Sequence, residues 1–300
     1  MKVREPFSRR VFQLFNFIYL TIVSLICILP FVNLLAISFS DNLPVVANRV
    51  NFWPVDFTTA AYGFIVRNSA FWTATIVSIQ RTALGLAINL ILIVLTAYPL
   101  SKAQKDFRGR YVFSWFFVVT ILFSGGLIPG YMIVRNTGLL DTIWALVLPG
   151  ALPVFSMLVV MNFMRSLPKE LEEAAYVDGA NHIATLLKVI LPVSTPTIAT
   201  VALFSFVGHW NSWFDGMLYM NRVDNYPLQT YLRTIIVNPE TFFRNAAAFT
   251  TTDIERFLGR INARTTSAAQ LFLATVPILA IYPFLQKYFT TGLVLGSVKG

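Results

Sequence analysis

The chain has 300 residues, 56% of them hydrophobic and only 12% charged, with a formal net charge of +9. Soluble domains carry about a quarter charged residues, so a chain this apolar takes lipid as part of its solvent, and a freely soluble enzyme is excluded. One cysteine, Cys27, and two histidines exclude an intrachain disulfide and a zinc cluster. Cys27 is expected to be a small packed or lipid-facing residue.

Six apolar segments follow in chain order. No charge occurs between Arg10 and Asp41, nor in 82–101, 111–134, 142–164, 189–214 or 265–286. About 20 residues of helix cross a hydrocarbon core, and backbone groups in lipid must bond internally. The expected fold class is therefore all-α, a polytopic membrane protein with six transmembrane helices over about 12–39, 70–100, 111–134, 142–164, 193–220 and 266–288. With no repeat in view, residues 1–300 read as one membrane domain. The first segment is too long for a cleaved signal peptide, and no small-residue cleavage site follows it.

Ser124-Gly125-Gly126 and Pro129-Gly130 predict a bend or unwinding in the third span, either as a plain helix break or as part of a cavity wall. In the fifth span, Ser205, His209 and Ser212 are spaced for one helix face, with Asn211 and Asp215 nearby. Intramembrane polar groups are candidate pathway residues, although His209 could equally bond a neighbouring helix. Trp210 and Trp213 suit sugar stacking or, more commonly, an interfacial belt. Arg81 lies about 30 Å from the inner end of span two if that helix is regular. It is expected at the outer interface, with a cavity-facing position as the alternative.

All seven lysines fall at the two termini and in the segments after spans two and four. The positive-inside rule makes that side, and both termini, cytoplasmic. The opposite loops, about 40–69, 135–141 and 221–266, hold nine arginines against seven acids. Arginine binds carboxylates in two-point fashion, so an acidic partner suits the 221–266 loop. Local pairing with its four acids is the alternative.

The segment after span four carries the most information. Ser166 is a potential helix cap, Pro168 suits a first turn, and Glu170, Glu172 and Glu173 suit a helix N-terminus. Gly179 suits a left-handed stop. A second short helix is expected over about 181–189, before Pro192. The outcome is a helix–turn–helix on the cytoplasmic face.

Glu173-Ala174-Ala175, Gly179, Val189 and Leu191-Pro192 reproduce a 20-residue signature with one departure, Val189 for isoleucine. It resembles that of permease subunits of binding-protein-dependent ATP-binding-cassette (ABC) importers. Thr96–Lys102, Gly138–Ala145 and Trp210–Phe214 resemble the carbohydrate-uptake branch. The tail, residues 292–300, resembles that of the shorter maltose-type subunit. The branch it most resembles serves complex oligosaccharides, including uronic-acid polymers.

The resemblance implies a type I ABC importer permease fold. It implies a second homologous permease subunit, two ATPase subunits, an extracytoplasmic sugar-binding protein and an oligosaccharide as partners, with membrane lipid around the chain and no nucleic acid. The site is a bacterial inner membrane. Residues 166–188 would dock on the ATPase, with Glu173, Ala174, Ala175, Asp178, Gly179, Leu191 and Pro192 as coupling residues and Lys299 and Gly300 reaching between the ATPase subunits. Ser205, His209, Asn211, Ser212 and Arg81 are the pathway candidates. The chain lacks a phosphate loop, so no cofactor is expected on it, and ATP and Mg belong to the ATPase partners. An ion-coupled secondary transporter or a membrane enzyme is the alternative. The first would show intramembrane carboxylates and repeated halves, the second a catalytic motif.

Overall fold

Residues 7–237 and 262–297 are described in a computed structural model. Within them the regular elements are helices, apart from an isolated bridge between Ser40 and Phe57. In order they are α1 (Phe7–Ser38), α2 (Asn42–Val46), α3 (Ala60–Arg67), α4 (Ser69–Ser101), α5 (Arg110–Leu122), α6 (Leu127–Asn136), α7 (Ile143–Val147), α8 (Val154–Ser166), α9 (Glu170–Val177), α10 (His182–Thr185), α11 (Leu191–Val193), α12 (Thr195–Asn211), α13 (Phe214–Tyr219), α14 (Leu228–Val237) and α15 (Ala263–Ser297).

Helices α1 and α4, with mean hydropathy of 2.5 and 2.1, and residues 263–281 of α15 are long and apolar enough to cross a membrane unbroken. Three further pairs qualify when joined across a break: α5 with α6, bent by 114°; residues 143–150 with α8, bent by 46°; and residues 182–193 with α12, bent by 81°. The fold is all-α and multi-spanning, with up to six apolar helices. The largest bend falls at Phe123–Gly126, inside the Ser-Gly-Gly tract where one was expected.

The chain forms two compact units, one from residues 1–69 and 234–276, the other from 70–233 and 277–300. In the first, Ala36, Ile37, Val45, Val50 and Ala268 form a small core. Asn262 bonds Asn42 at 2.9 Å, and Arg264 bonds Asn48 at 3.2 Å. Residues 7–31 of α1 are exposed throughout, an apolar surface suited to lipid or to another chain.

In the second unit Ile93, Ala97 and Leu100 of α4 pack on Met157, Val160, Met161 and Met164 of α8, with Leu186, Ile190 and Val201 closing the cluster. These residues recur at helical spacing along α4 and α8, so each helix turns one stripe inward. The chain that follows α13 is fastened to α4, because the Leu228 amide donates to the buried Ser78 hydroxyl at 2.7 Å.

Two sequence expectations need correction here. Ser166 caps nothing: it ends α8 and its hydroxyl returns to the Phe163 carbonyl, while α9 starts after Lys169 without a side-chain cap. The face shared by Ser205, His209 and Ser212 is not a continuous helix, because α12 ends at Asn211 and Ser212 is extended.

Candidate translocation cavity and coupling segment

Helix α4 brings Arg81, Gly85 and Asn89 to one stripe by its i, i+4, i+8 spacing. Opposite lies α12 with Ser205, Gly208 and His209, and the broken stretch to α13 adds Ser212 and Asp215. Between them is a cavity of about 360 Å³, closed on another side by Pro149, Pro153 and Ser156. That size falls within the range of about 300–1,000 Å³ typical of small-ligand sites.

Arg81 does not reach out to solvent. It is 2% exposed and forms an ion pair with Asp215, contrary to the favoured expectation. Its Nη1 also donates to the Ser212 carbonyl at 3.1 Å. Asp215 Oδ1 in turn accepts from the Ser212 hydroxyl at 2.8 Å and the Gly216 amide at 2.9 Å. The helix break supplies these partners: an uninterrupted α12 would hold the Ser212 carbonyl in its own ladder. The pair thus bridges α4 to the α12–α13 break, with Arg81 Nε buried and unbonded.

Asn89 organises the other end of the cavity. Turned so that its amide nitrogen donates to the Gly85 and Ala151 carbonyls at 3.0 Å, its oxygen accepts from Ser205 Oγ and His209 Nε2, each at 3.2 Å. His209 packs so tightly on α4 that a Cβ at Gly85 would overlap its ring. It therefore does both things that were held apart in the sequence: it bonds a neighbouring helix and lines the cavity.

Asn211 is exposed and outside the cavity lining, because it lies two residues past His209, on another side of α12. Trp210 is 3% exposed and stacked on Phe206 at 6.2 Å, so it neither presents a face to a sugar nor stands in a belt. Trp213 is partly exposed beneath the Arg233 guanidinium. Asn89 was missed in the sequence, although its register with Arg81 was visible there.

A second junction holds the chain as it leaves α13. Asp141 accepts from the Asn221 and Arg222 amides and from Asn225. Slight burial pushes its carboxyl up, but these hydrogen bonds and the Arg222 charge outweigh that and hold it below the ordinary carboxylate value.

The coupling segment forms the expected helix–turn–helix. Helix α9 ends in a Schellman motif: the Ala180 amide bonds the Ala175 carbonyl at 2.9 Å and the Gly179 amide bonds Tyr176 at 3.0 Å. Gly179 takes φ +80°, the left-handed conformation that makes glycine the fitting residue. Asn181 then caps α10 through the Ala184 amide, and Tyr176 meets His182 Nδ1 at 2.9 Å across the turn. Burial, aided by the Tyr98 hydroxyl, pushes the Tyr176 phenol up to about 12. Glu173, Ala174, Asp178 and Gly179 are exposed, while Ala175 is buried. Leu191 is half-buried and Pro192 exposed. Residues 186–190 widen to a π-turn before Pro192, whose missing N–H cannot continue the ladder. Lys102, at the end of α4, is tied to Glu172 at 2.5 Å and lies over the Tyr98 ring. This connection was also missed in the sequence. Lys299 and Gly300 lie outside the described residues, as do Arg244, Arg256 and Arg260.

Up to six apolar spans, a polar cavity between α4 and α12 and a capped helix–turn–helix make this an all-α, multi-spanning membrane protein. No family model matches the chain. It is 35% identical over 299 residues to the polygalacturonan/rhamnogalacturonan transport system permease protein YtcP of Bacillus subtilis, covering 98% of this chain and 100% of that one. It is 38% identical over 292 residues to protein LplC of the same organism, covering 97% and 96%. A chain in the crystal structure of a bacterial ABC transporter involved in import of the acidic polysaccharide alginate superposes with a TM-score of 0.84. That chain is 31% identical, and the match covers 96% of this chain and all of that one. The chain belongs to the permease subunits of carbohydrate ABC importers, as a non-catalytic, multi-pass subunit of the bacterial inner membrane.

Proposed function

We propose that this subunit passes a uronate-containing oligosaccharide, delivered by an extracytoplasmic binding protein, through the cavity between α4 and α12. The observation that carries the substrate class is full-length similarity to two permeases of acidic polysaccharide systems. The chain acts as one permease domain, the shorter maltose-type member of a pair. Both termini face the cytoplasm, where residues 166–188 dock on one of two ATPase subunits and the tail, with Lys299 and Gly300, reaches between them. ATP drives the cycle by binding the closed ATPase dimer better than the open one. Arg81, Ser205, His209 and Ser212 are the pathway residues we assign. The arginines of the 221–266 loop favour an acidic binding-protein surface first and the anionic sugar second. Local pairing competes, as Arg222 does with Asp224 at 3.9 Å, both largely exposed.

The test is ATP hydrolysis by the reconstituted importer with its binding protein, comparing oligogalacturonate or oligoalginate with a neutral oligosaccharide of equal length. Stimulation by the acidic sugars alone is expected. Stimulation by the neutral sugar alone would refute the substrate class, while leaving the permease assignment intact.

A further inference from the structure

At the end of the second unit where α4 and α8 finish and α5 and α9 begin lies a groove of about 630 Å³. Five cations line it, Lys102, Lys105, Arg110, Arg165 and Lys169, against the three acids Asp106, Glu172 and Glu173. Glu172 is already engaged by Lys102. Arg110 donates to the neutral Lys102 carbonyl at 3.0 Å, and its Nε is buried without a partner. Arg165 reaches only the Leu100 carbonyl, at 3.5 Å, and the Met161 sulfur, at 3.7 Å. The two guanidiniums are near enough to repel one another, and among the described residues no carboxylate pairs with either. Helix α5 starts at the same place without a side-chain cap.

Two adjoining guanidiniums without a counter-ion form a receptor for a tetrahedral oxyanion, which each fork can bind at two points. The location selects the source of that anion. The groove stands where apolar spans end, at the level of lipid headgroups. Next to it Tyr111, Val112, Trp115 and Phe116 of α5 are 56%, 73%, 64% and 61% exposed, an apolar strip on which an acyl chain can lie. Basic pockets between spans bind anionic headgroups by this combination. We propose that the groove is a binding site for an anionic phospholipid, its phosphodiester held between Arg110 and Arg165 and an acyl chain running along α5. Because Glu172 and Glu173 of the coupling segment also line the groove, a bound lipid would brace that segment against the ends of α4 and α5. The site requires no assignment of the transported sugar.

The experiment is native mass spectrometry of the assembled, delipidated importer, titrated with phosphatidylglycerol, with phosphatidylcholine of matched chains and with inorganic phosphate. Wild type should retain phosphatidylglycerol selectively. At about 1 kcal/mol for each basic residue near a membrane surface, Arg110→Gln with Arg165→Gln should weaken that binding about thirtyfold. The double Arg→Lys variant, which keeps charge and loses the fork, should fall between. Arg135→Gln, exposed and outside the groove, should leave phosphatidylglycerol binding unchanged. Three results would overturn the proposal: equal affinity for the two lipids, inorganic phosphate binding as tightly as phosphatidylglycerol, or loss of the ATPase subunits from the double Gln variant with lipid binding unchanged. The last would assign the groove to an acidic ATPase surface.

Discussion

Arg81 and Arg110 illustrate two uses of a guanidinium in one subunit. Arg81 is buried with its counter-ion beside it, and its acceptors, the Ser212 carbonyl and the Asp215 carboxylate, come from the α12–α13 break. Its charge is spent on holding that break against α4. Arg110 sits at a span end with neutral acceptors and a like charge as neighbour, so its charge is left over for something outside the unit. An internally matched charge marks architecture around the cavity, whereas an unmatched one marks a surface for a partner. Changes at the first should therefore be costly and pair-dependent, and changes at the coupling end small in stability but visible in function.

The largest effect is expected from Asp215→Asn. It strands the Arg81 charge in a site that is 2% exposed, and removing one partner of a buried pair costs about 3–5 kcal/mol. The thermal midpoint of the purified subunit should fall clearly, and Arg81→Met combined with Asp215→Leu should recover most of the loss. A double variant no more stable than the single would show that the pair is not the unit.

Next comes Gly179→Val, which forces a β-branched residue into φ +80° at about 1–2 kcal/mol. The spans should insert normally while assembly with the ATPase, or uptake per ATP hydrolysed, drops. Gly179→Asn should be milder, since asparagine tolerates that conformation better. Normal coupling in the valine variant would remove the turn from the mechanism.

Lys102→Met breaks a partly exposed pair worth about 1 kcal/mol or less. Its stability change should be small, yet the ratio of uptake to ATP hydrolysis should fall, because Lys102 joins α9 to the end of α4. An unchanged ratio would leave the connection without a function.

The smallest effect concerns pH. Asp141 has a depressed carboxyl, so its stabilisation is fully present above the unfolded value of about 3.9 and is lost as pH falls through the lower folded value. Hydrogen-exchange protection of the Asn221 and Arg222 amides should drop across that acidic window in wild type and show no such step in Asp141→Asn. A step of equal size in the variant would assign it to another group.

The spans and the coupling segment were legible because both are local. Hydrophobic runs state the long helices, and Glu173-Ala174-Ala175, Gly179 and Pro192 carry their own start, stop and turn chemistry. The bend after Phe123 was visible as glycine and serine in an apolar run. The Arg81 environment was not, because Asp215 lies 134 residues away and only packing brings it to α4. The same blindness applied to Lys102 with Glu172, 70 residues apart. The end of α12 at Asn211 was illegible for another reason: no proline or glycine marks it, and the stabilising partner of the freed Ser212 carbonyl is again Arg81. Asn211 lies off the cavity lining because the 3.6-residue period turns it away from His209.

The central claim is that the space between α4 and α12 is the sugar pathway. Gly208 lines it, and a Cβ there would meet nothing within 4 Å, so cysteine fits without a clash. In the reconstituted importer carrying Gly208→Cys, with the exposed native thiol removed as Cys27→Ser, labelling by an impermeant thiol reagent should be measured from each side of the membrane. The account predicts that transported sugar slows labelling and that trapping the ATPase closed moves access from one side to the other. Labelling indifferent to both sugar and nucleotide state would contradict it.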